Sequence, residues 1–241
     1  MGKLFILLYG VISYIIFFLT FLYAIGFVGN ILVPKSMDSG AEGPLMNALL
    51  VNLVLLGIFA VQHSVMARPG FKTWWTKIVP KAAERSTYTL LSSLALILLF
   101  YYWQPMGGVI WEVENSIGEM ILYALFAFGW AMVLISTFLI NHFDLFGLRQ
   151  VWLNFQGKEY KSLIFTTPGP YKMIRHSLYL GFFIAFWATP TMTAAHLFFA
   201  VVTTIYVLLA IQWEEKDLVT ALGEDYAEYR RRVPMIIPFM K

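Results

Sequence analysis

The 241 residues are 59% hydrophobic and only 13% charged, with 21 Phe, 8 Trp and no Cys, a balance that excludes an ordinary soluble globule and marks an integral membrane protein. Without cysteine the chain has no disulfide framework, no thiolate metal site and no thiol nucleophile of its own. The formal net charge of +3 is small, and its placement along the chain matters more than its size.

The first apolar stretch, Leu4 to about Val28, is too long for the apolar core of a signal peptide and lacks a small-residue cleavage pattern, so it reads as a retained helix. Five further apolar segments follow at about 45–65, 87–103, 117–140, 177–189 and 193–211, each bounded by Pro, Gly or charged residues. The fifth has only about 13 residues and meets the sixth through "TPTMT", which suits a short or tilted arm of a helical hairpin. The fold class is therefore an all-α integral membrane protein. It is a bundle of about five to six transmembrane helices with a C-terminal helical hairpin and a cytoplasmic amphipathic segment.

Orientation follows from the basic residues. With the N-terminus inside, Lys3 lies inside, as do Arg68, Lys72, Lys77, Lys81 and Arg85 of the second connection and Arg149, Lys158, Lys161, Lys172 and Arg175 of the fourth. Lys216, Arg230, Arg231, Arg232 and Lys241 complete the set. Sixteen of the 17 basic residues then share one side, with Lys35 alone outside, which predicts cytoplasmic termini in the cell (inner) membrane. The segment "FKTWWTKIVPKAAER" interleaves Trp74, Trp75 and Ile78 with lysines, as befits a stretch in the headgroup layer.

Ionisable groups at membrane depth are costly and ask for an explanation. Gln62 and His63 sit near the inner end of the second segment, where a lone histidine is more often a packing residue than part of a site. In "INHFDLFGLRQVW", Asn141, His142, Asp144, Arg149 and Gln150 fall within ten residues. Capping and a Gly147 turn account for some of them, while His142 with Asp144 and Arg149 nearby can also bind and polarise a small polar substrate. In "PGPYKMIRHSLYLG", Pro168 and Pro170 predict a helix starting near Pro170, which puts Tyr171, Arg175 and Tyr179 on one face with His176 one step round. That set can grip an anion beside flat rings, or it can be an interfacial anchor. Glu214 and Glu215 directly follow an apolar run, so at least one carboxylate should face inward and need a partner, for which Arg175 is available. Beyond them Leu218, Leu222, Tyr226 and Tyr229 mark the apolar side of an amphipathic segment that Gly223 bends or interrupts. His196, at the outer start of the last helix, reads as structural.

Taken together, "GPYKMIRHSLYLG", an apolar hairpin and "EEKDLVTALGEDYAEYRRRVPMIIP" resemble the C-terminal signature of the isoprenylcysteine carboxyl methyltransferase and phospholipid methyltransferase superfamily. Each piece is weak alone, and the ordered set, over roughly the last seventy-five residues, is strong. Upstream, "QHSVMARPGFK" and "NHFDLFGLRQVW" are similar to a narrower branch, the bacterial membrane-bound methanethiol S-methyltransferases, also described as NnrU-like. One departure is Ser177, where the superfamily usually has proline after Arg-His.

The resemblance implies an S-adenosylmethionine-dependent enzyme that methylates methanethiol to dimethyl sulfide. It implies one membrane domain, with helices and substrate-side loops in residues 1–165 and donor binding in residues 166–241. Tyr171, Arg175, His176, Leu178, Tyr179, Gly181, Glu214, Glu215, Tyr226 and Tyr229 would then contact or line the donor. No G-x-G-x-x-G occurs, which agrees with a site unlike the soluble dinucleotide fold. A thiol attacks as its thiolate, so His142, with Asp144 and Arg149, is expected to take or stabilise the proton, and His63, Asn141 and Gln150 to shape the acceptor pocket. The expected partners are the lipid bilayer and a small thiol, with no metal, nucleic acid or obligate protein partner. A prenyl-protein or phospholipid methyltransferase and a sterol reductase are rival enzymes. A haem protein or transporter using His63, His142, His176 and His196 is the rival from outside that class.

Overall fold

The structure is a computed structural model and describes residues 2–238, so Lys241, counted above among the inner cations, lies outside the described residues. The helices are α1 Lys3–Gly29, α2 Leu45–Ala67, α3 Pro69–Trp75, α4 Lys81–Tyr102, α5 Ser116–Ile140, α6 His142–Leu145, α7 Leu148–Phe155, α8 Ser177–Trp187, α9 Ala194–Leu222 and α10 Glu224–Arg232. Two short strands, β1 Val109–Glu112 and β2 Thr191–Thr193, and a 3-10 turn over Gly169–Lys172 complete the described elements. All six predicted apolar segments lie on helices. Four of these, α1, α2, α5 and α9, are long and apolar enough to cross a membrane. The chain is thus a multi-pass membrane protein. At 11 residues α8 is about 16 Å long, half of a bilayer core of about 30 Å, and forms the short arm expected from the sequence.

The helices sort into two compact units. The first comprises Met1–Gly107 and Asn141–Ser162. Here α4 packs against α1, α2 and α7, and it does so with a small, polar side: Ser86, Thr87, Thr89, Ser92 and Ser93 are all buried. The hydroxyls of Thr87, Thr89 and Ser93 donate to the carbonyls four residues back, so these groups cost little in apolar surroundings while keeping the helix slim enough for close neighbours. Asn52 of α2 holds the backbone of Gln104 from both directions, its Nδ2 2.8 Å from the carbonyl and its Oδ1 2.9 Å from the amide. At the turn between α6 and α7, Gly147 has φ of +91°, and a Cβ there would lie 2.7 Å from the Ser86 amide nitrogen. Backbone conformation and space both require glycine at that turn.

The second unit comprises Gly108–Ile140 and Leu163–Lys241. Helices α5 and α8 meet backbone to backbone at Gly129 and Gly181: a Cβ on Gly129 would lie 2.6 Å from the Ala185 amide nitrogen and 2.7 Å from the Gly181 carbonyl. Gly181, expected beside the donor, is thereby accounted for by helix packing. Strands β1 and β2 pair antiparallel, with Trp111 opposite Met192. Among the described residues this ribbon is the only β-structure, and its second strand falls on "TPTMT". Thr193 caps α9 by accepting from the His196 amide at 3.0 Å, and the buried His196 ring places Nε2 2.9 Å from the Phe186 carbonyl oxygen, the structural part expected of it. Gly223, with φ of +63°, ends α9 and starts α10.

We expect Gly129→Val to lower stability by about 1–3 kcal/mol, because the new side chain meets backbone that cannot swing aside. Thermal unfolding in detergent measures this, and an unchanged midpoint would contradict the close α5–α8 contact.

Candidate active site

The segment before α8 does not form the helix that its prolines predict. A single 3-10 turn covers Gly169–Lys172, and α8 starts only at Ser177. The cause is competition for backbone groups. In a continuous helix the Arg175 amide would donate to the Tyr171 carbonyl. Instead that carbonyl accepts from the Tyr229 hydroxyl at 2.6 Å, the Arg175 amide donates to the Pro234 carbonyl at 2.9 Å, and the His176 amide donates to the Met235 carbonyl at 3.1 Å. The single helical face predicted for Tyr171, Arg175 and Tyr179 is corrected accordingly: the three come from a turn, an irregular stretch and a helix.

What gathers them is Glu215. This residue sits near the inner-side end of α9 by the sequence reading, and its carboxylate is nearly buried, 7% exposed. Its Oε1 accepts from Arg175 Nε at 2.7 Å and lies 3.0 Å from His176 Nε2. A carboxylate only accepts, so the His176 proton is on Nε2. Arg230 stands 4.0 Å from Oε2. The inward carboxylate expected from "WEEK" is therefore Glu215, and its partner is the expected Arg175. The neighbouring Glu214 is half-buried and accepts from the Tyr179 hydroxyl at 2.8 Å through Oε2.

Tyr226 and Tyr229 are buried with Val233 in a cluster that also holds Phe165, Leu218, Val219 and Leu222, the apolar side read from the sequence. Burial raises both phenols, and the negative Glu215 and Glu214 raise Tyr226 further; Tyr229 is pushed up to about 12. Burial also raises Tyr171. All three phenols therefore keep their protons at neutral pH. Leu178 is half-buried one residue into α8. Ser177 is fully buried with its Oγ 3.3 Å from Ser136 Oγ of α5. As the first helical residue it has an amide that no helical carbonyl needs, so serine starts α8 as proline would and adds a hydroxyl tie to α5.

In the first unit the second predicted cluster is compact. Asn141 has φ of +122° and caps α6 by accepting from the Asp144 amide. Asp144 accepts from Arg149 at 2.8 Å and from the Tyr160 hydroxyl at 3.2 Å, and Gln150 donates to its carbonyl at 3.0 Å. The Arg149 guanidinium also binds the Lys161 carbonyl and lies over the Tyr160 ring. His142 is buried among Phe17, Phe143 and Phe146, with Nε2 2.8 Å from the Tyr14 hydroxyl. Burial lowers its pKa, so the ring is neutral at pH 7. His63 keeps different company in the same unit: its ring stacks on Phe59 and lies within hydrogen-bonding distance of Tyr88 and Ser92.

Sequence reasoning missed Tyr14, Tyr88, Ser92, Tyr160 and the run Val233–Ile236. Tyr14 and Tyr88 carried a signal, since each puts a hydroxyl into an otherwise apolar helix and such a group needs a partner. Tyr160 and the C-terminal run sit in irregular stretches with no periodicity to read.

Relatives extend over nearly the whole chain. It is 60% identical over 240 residues, 100% of this chain and 94% of the relative, to a methanethiol S-methyltransferase of Crocosphaera subtropica. It is 55% identical over 233 residues, 97% of this chain and 96% of the relative, to a methanethiol S-methyltransferase of Mycobacterium tuberculosis. A more distant similarity, 27% over 72% of this chain and 69% of the relative, joins it to nurim of Rattus norvegicus. No family model and no solved structure matches.

Glu215→Ala strands two buried donors, and we expect it to cost about 3–5 kcal/mol, against about 1 kcal/mol for Glu214→Ala, whose one bonded partner is neutral. Thermal unfolding in detergent compares them, and equal small losses would contradict the central place of Glu215.

Proposed function

This chain belongs to the methanethiol S-methyltransferase family, and we propose that it methylates methanethiol to dimethyl sulfide with S-adenosylmethionine as donor. The observation that carries this reading is the 60% identity across the full chain with a relative of that name. S-adenosylmethionine, when bound, supplies an electrophilic methyl group on a sulfonium sulfur.

The donor set around Glu215 suits that molecule. Glu214 keeps an oxygen beyond the one that accepts from Tyr179, suited to an ammonium or ribose hydroxyls. Arg175 commits its Nε and NH1 inside the protein and so sets the Glu215 carboxylate in place. The half-buried Tyr179 offers the ring face turned away from His176 for adenine or a sulfonium, the latter worth about 0.5–2 kcal/mol, and the buried Tyr226 backs the site. In this reading His176 and Glu215 hold the polar parts, Tyr171 and Tyr229 back them, and Leu178 and Gly181 give α8 its shape.

For the acceptor, His142 takes the thiol proton on its neutral ring, in surroundings whose aromatic walls suit a methyl group. The Asp144–Arg149 pair fixes the turn that carries His142, and Asn141, Gln150 and His63 complete the polar surroundings. The excess of basic residues on one side supports cytoplasmic termini, a site open to the cytoplasm and residence in the inner membrane.

Purified protein given S-adenosylmethionine and methanethiol should release dimethyl sulfide into the headspace and leave an isoprenylcysteine analogue unmethylated; the reverse would sink the reading. His142→Gln should lower turnover about 100-fold while donor binding holds. The active form is neutral His142, so activity should fall as pH drops through a pKa below the ordinary histidine value of about 6.5. That acid limb should vanish in His142→Gln, and a limb unchanged in the variant would assign the base elsewhere.

A further inference from the structure

We propose that Arg175 is a positioning residue: it clasps residues 233–236 as a strap across the Tyr171–His176 segment, and this strap holds the donor site in shape. The inference rests on the reading that the C-terminal region binds the donor.

Three of the five N–H groups of the Arg175 guanidinium are committed inside the protein. Nε donates to Glu215, and NH1 donates to the carbonyls of Arg230, at 2.9 Å, and of Val233. The backbone repeats the pattern, with the Arg175 and His176 amides on the Pro234 and Met235 carbonyls. Beyond Val233 the described chain has no helix or strand of its own. It is held by these bonds and by Ile236, which is buried against Val207 and Ile211 of α9 with Met235 beside it. Arg175 thus joins three things at once: the Glu215 carboxylate, the end of α10 and the strap. A planar fork reaches acceptors in these separate directions, whereas a lysine ammonium on a flexible stem does not hold them in one geometry. The same connection explains why His176 and Tyr179 keep their places although no continuous helix joins them to Tyr171.

The test uses the full-length, detergent-solubilised protein as wild type, Arg175→Lys, Ile236→Ser and the double variant. Three readouts are taken: calorimetric binding of S-adenosylhomocysteine, the KM and kcat values, and trypsin cleavage at Arg230–Arg232. Each single variant should weaken donor binding and raise its KM about tenfold, with kcat at saturation and the thiol KM within about twofold. Each should also speed cleavage, and the double variant should be no worse than the worse single one, because both break one clasp. Losses that multiply to about 100-fold, or weaker binding in Arg175→Lys with cleavage unchanged, would overturn the clasp and make Arg175 a direct ligand. If the wild type binds no S-adenosylhomocysteine, the donor-site reading fails. In that case trypsin still decides the clasp: faster cleavage in both single variants supports it, and unchanged cleavage overturns it.

Discussion

A carboxylate buried near the end of an apolar helix is an expensive object, because removing its water costs several kcal/mol unless donors replace it. Glu215 is that object here, and much of the C-terminal half is arranged to supply those donors. Arg175 and His176 can both reach Oε1 only if the chain before α8 is not helical, since they are consecutive residues and a helix would turn their side chains about 100° apart. The helix is therefore given up for four residues, and the amides it would have used are passed to the strap. The short α8 follows from that late start. A helix of 11 residues has little surface with which to hold its place, and the Gly129–Gly181 approach and the Ser136–Ser177 tie provide backbone contact instead of bulk.

The first unit answers a different constraint with different means. Many of its polar groups are small hydroxyls along α4, and those of Thr87, Thr89 and Ser93 satisfy themselves on their own helix without an ionic hub. At the α6–α7 turn charges gather, and there the Asp144 carboxylate accepts from Arg149 and Tyr160 while its amide donates to Asn141. His142 is kept apart from that ion pair, in an aromatic surround with a tyrosine hydroxyl as its polar neighbour. A neutral, apolar-walled imidazole suits the proton of a small apolar thiol far better than it suits a bulky or charged acceptor, which is consistent with the names carried by the 60% and 55% identical relatives.

Much of this was legible in the sequence, for reasons that differ by feature. Hydropathy and local breakers located all six apolar helices, of which four, against the five to six expected, are long and apolar enough to span a membrane. The pairing of Glu215 with Arg175 was legible because a charge after an apolar run demands an opposite one. The helix start was misread at Pro170, because the acceptors that break it, Pro234 and Met235, lie some sixty residues away and in no regular element. Gly181 has a packing role that the sequence did not show. A glycine inside a motif looks like room for a ligand, and only the facing Gly129 reveals that the room is filled by another helix.

The central claim is that residues 171–176 and 233–236 form one clasped unit around Glu215 that is built before the donor arrives. Hydrogen–deuterium exchange on the detergent-solubilised protein, with and without S-adenosylhomocysteine, measures it directly. The amides of Arg175 and His176 should be protected in the free protein, with added protection on binding confined to the region around Glu214, Glu215 and α10. Free exchange at Arg175 and His176, or protection that develops only in the first unit, would contradict the account.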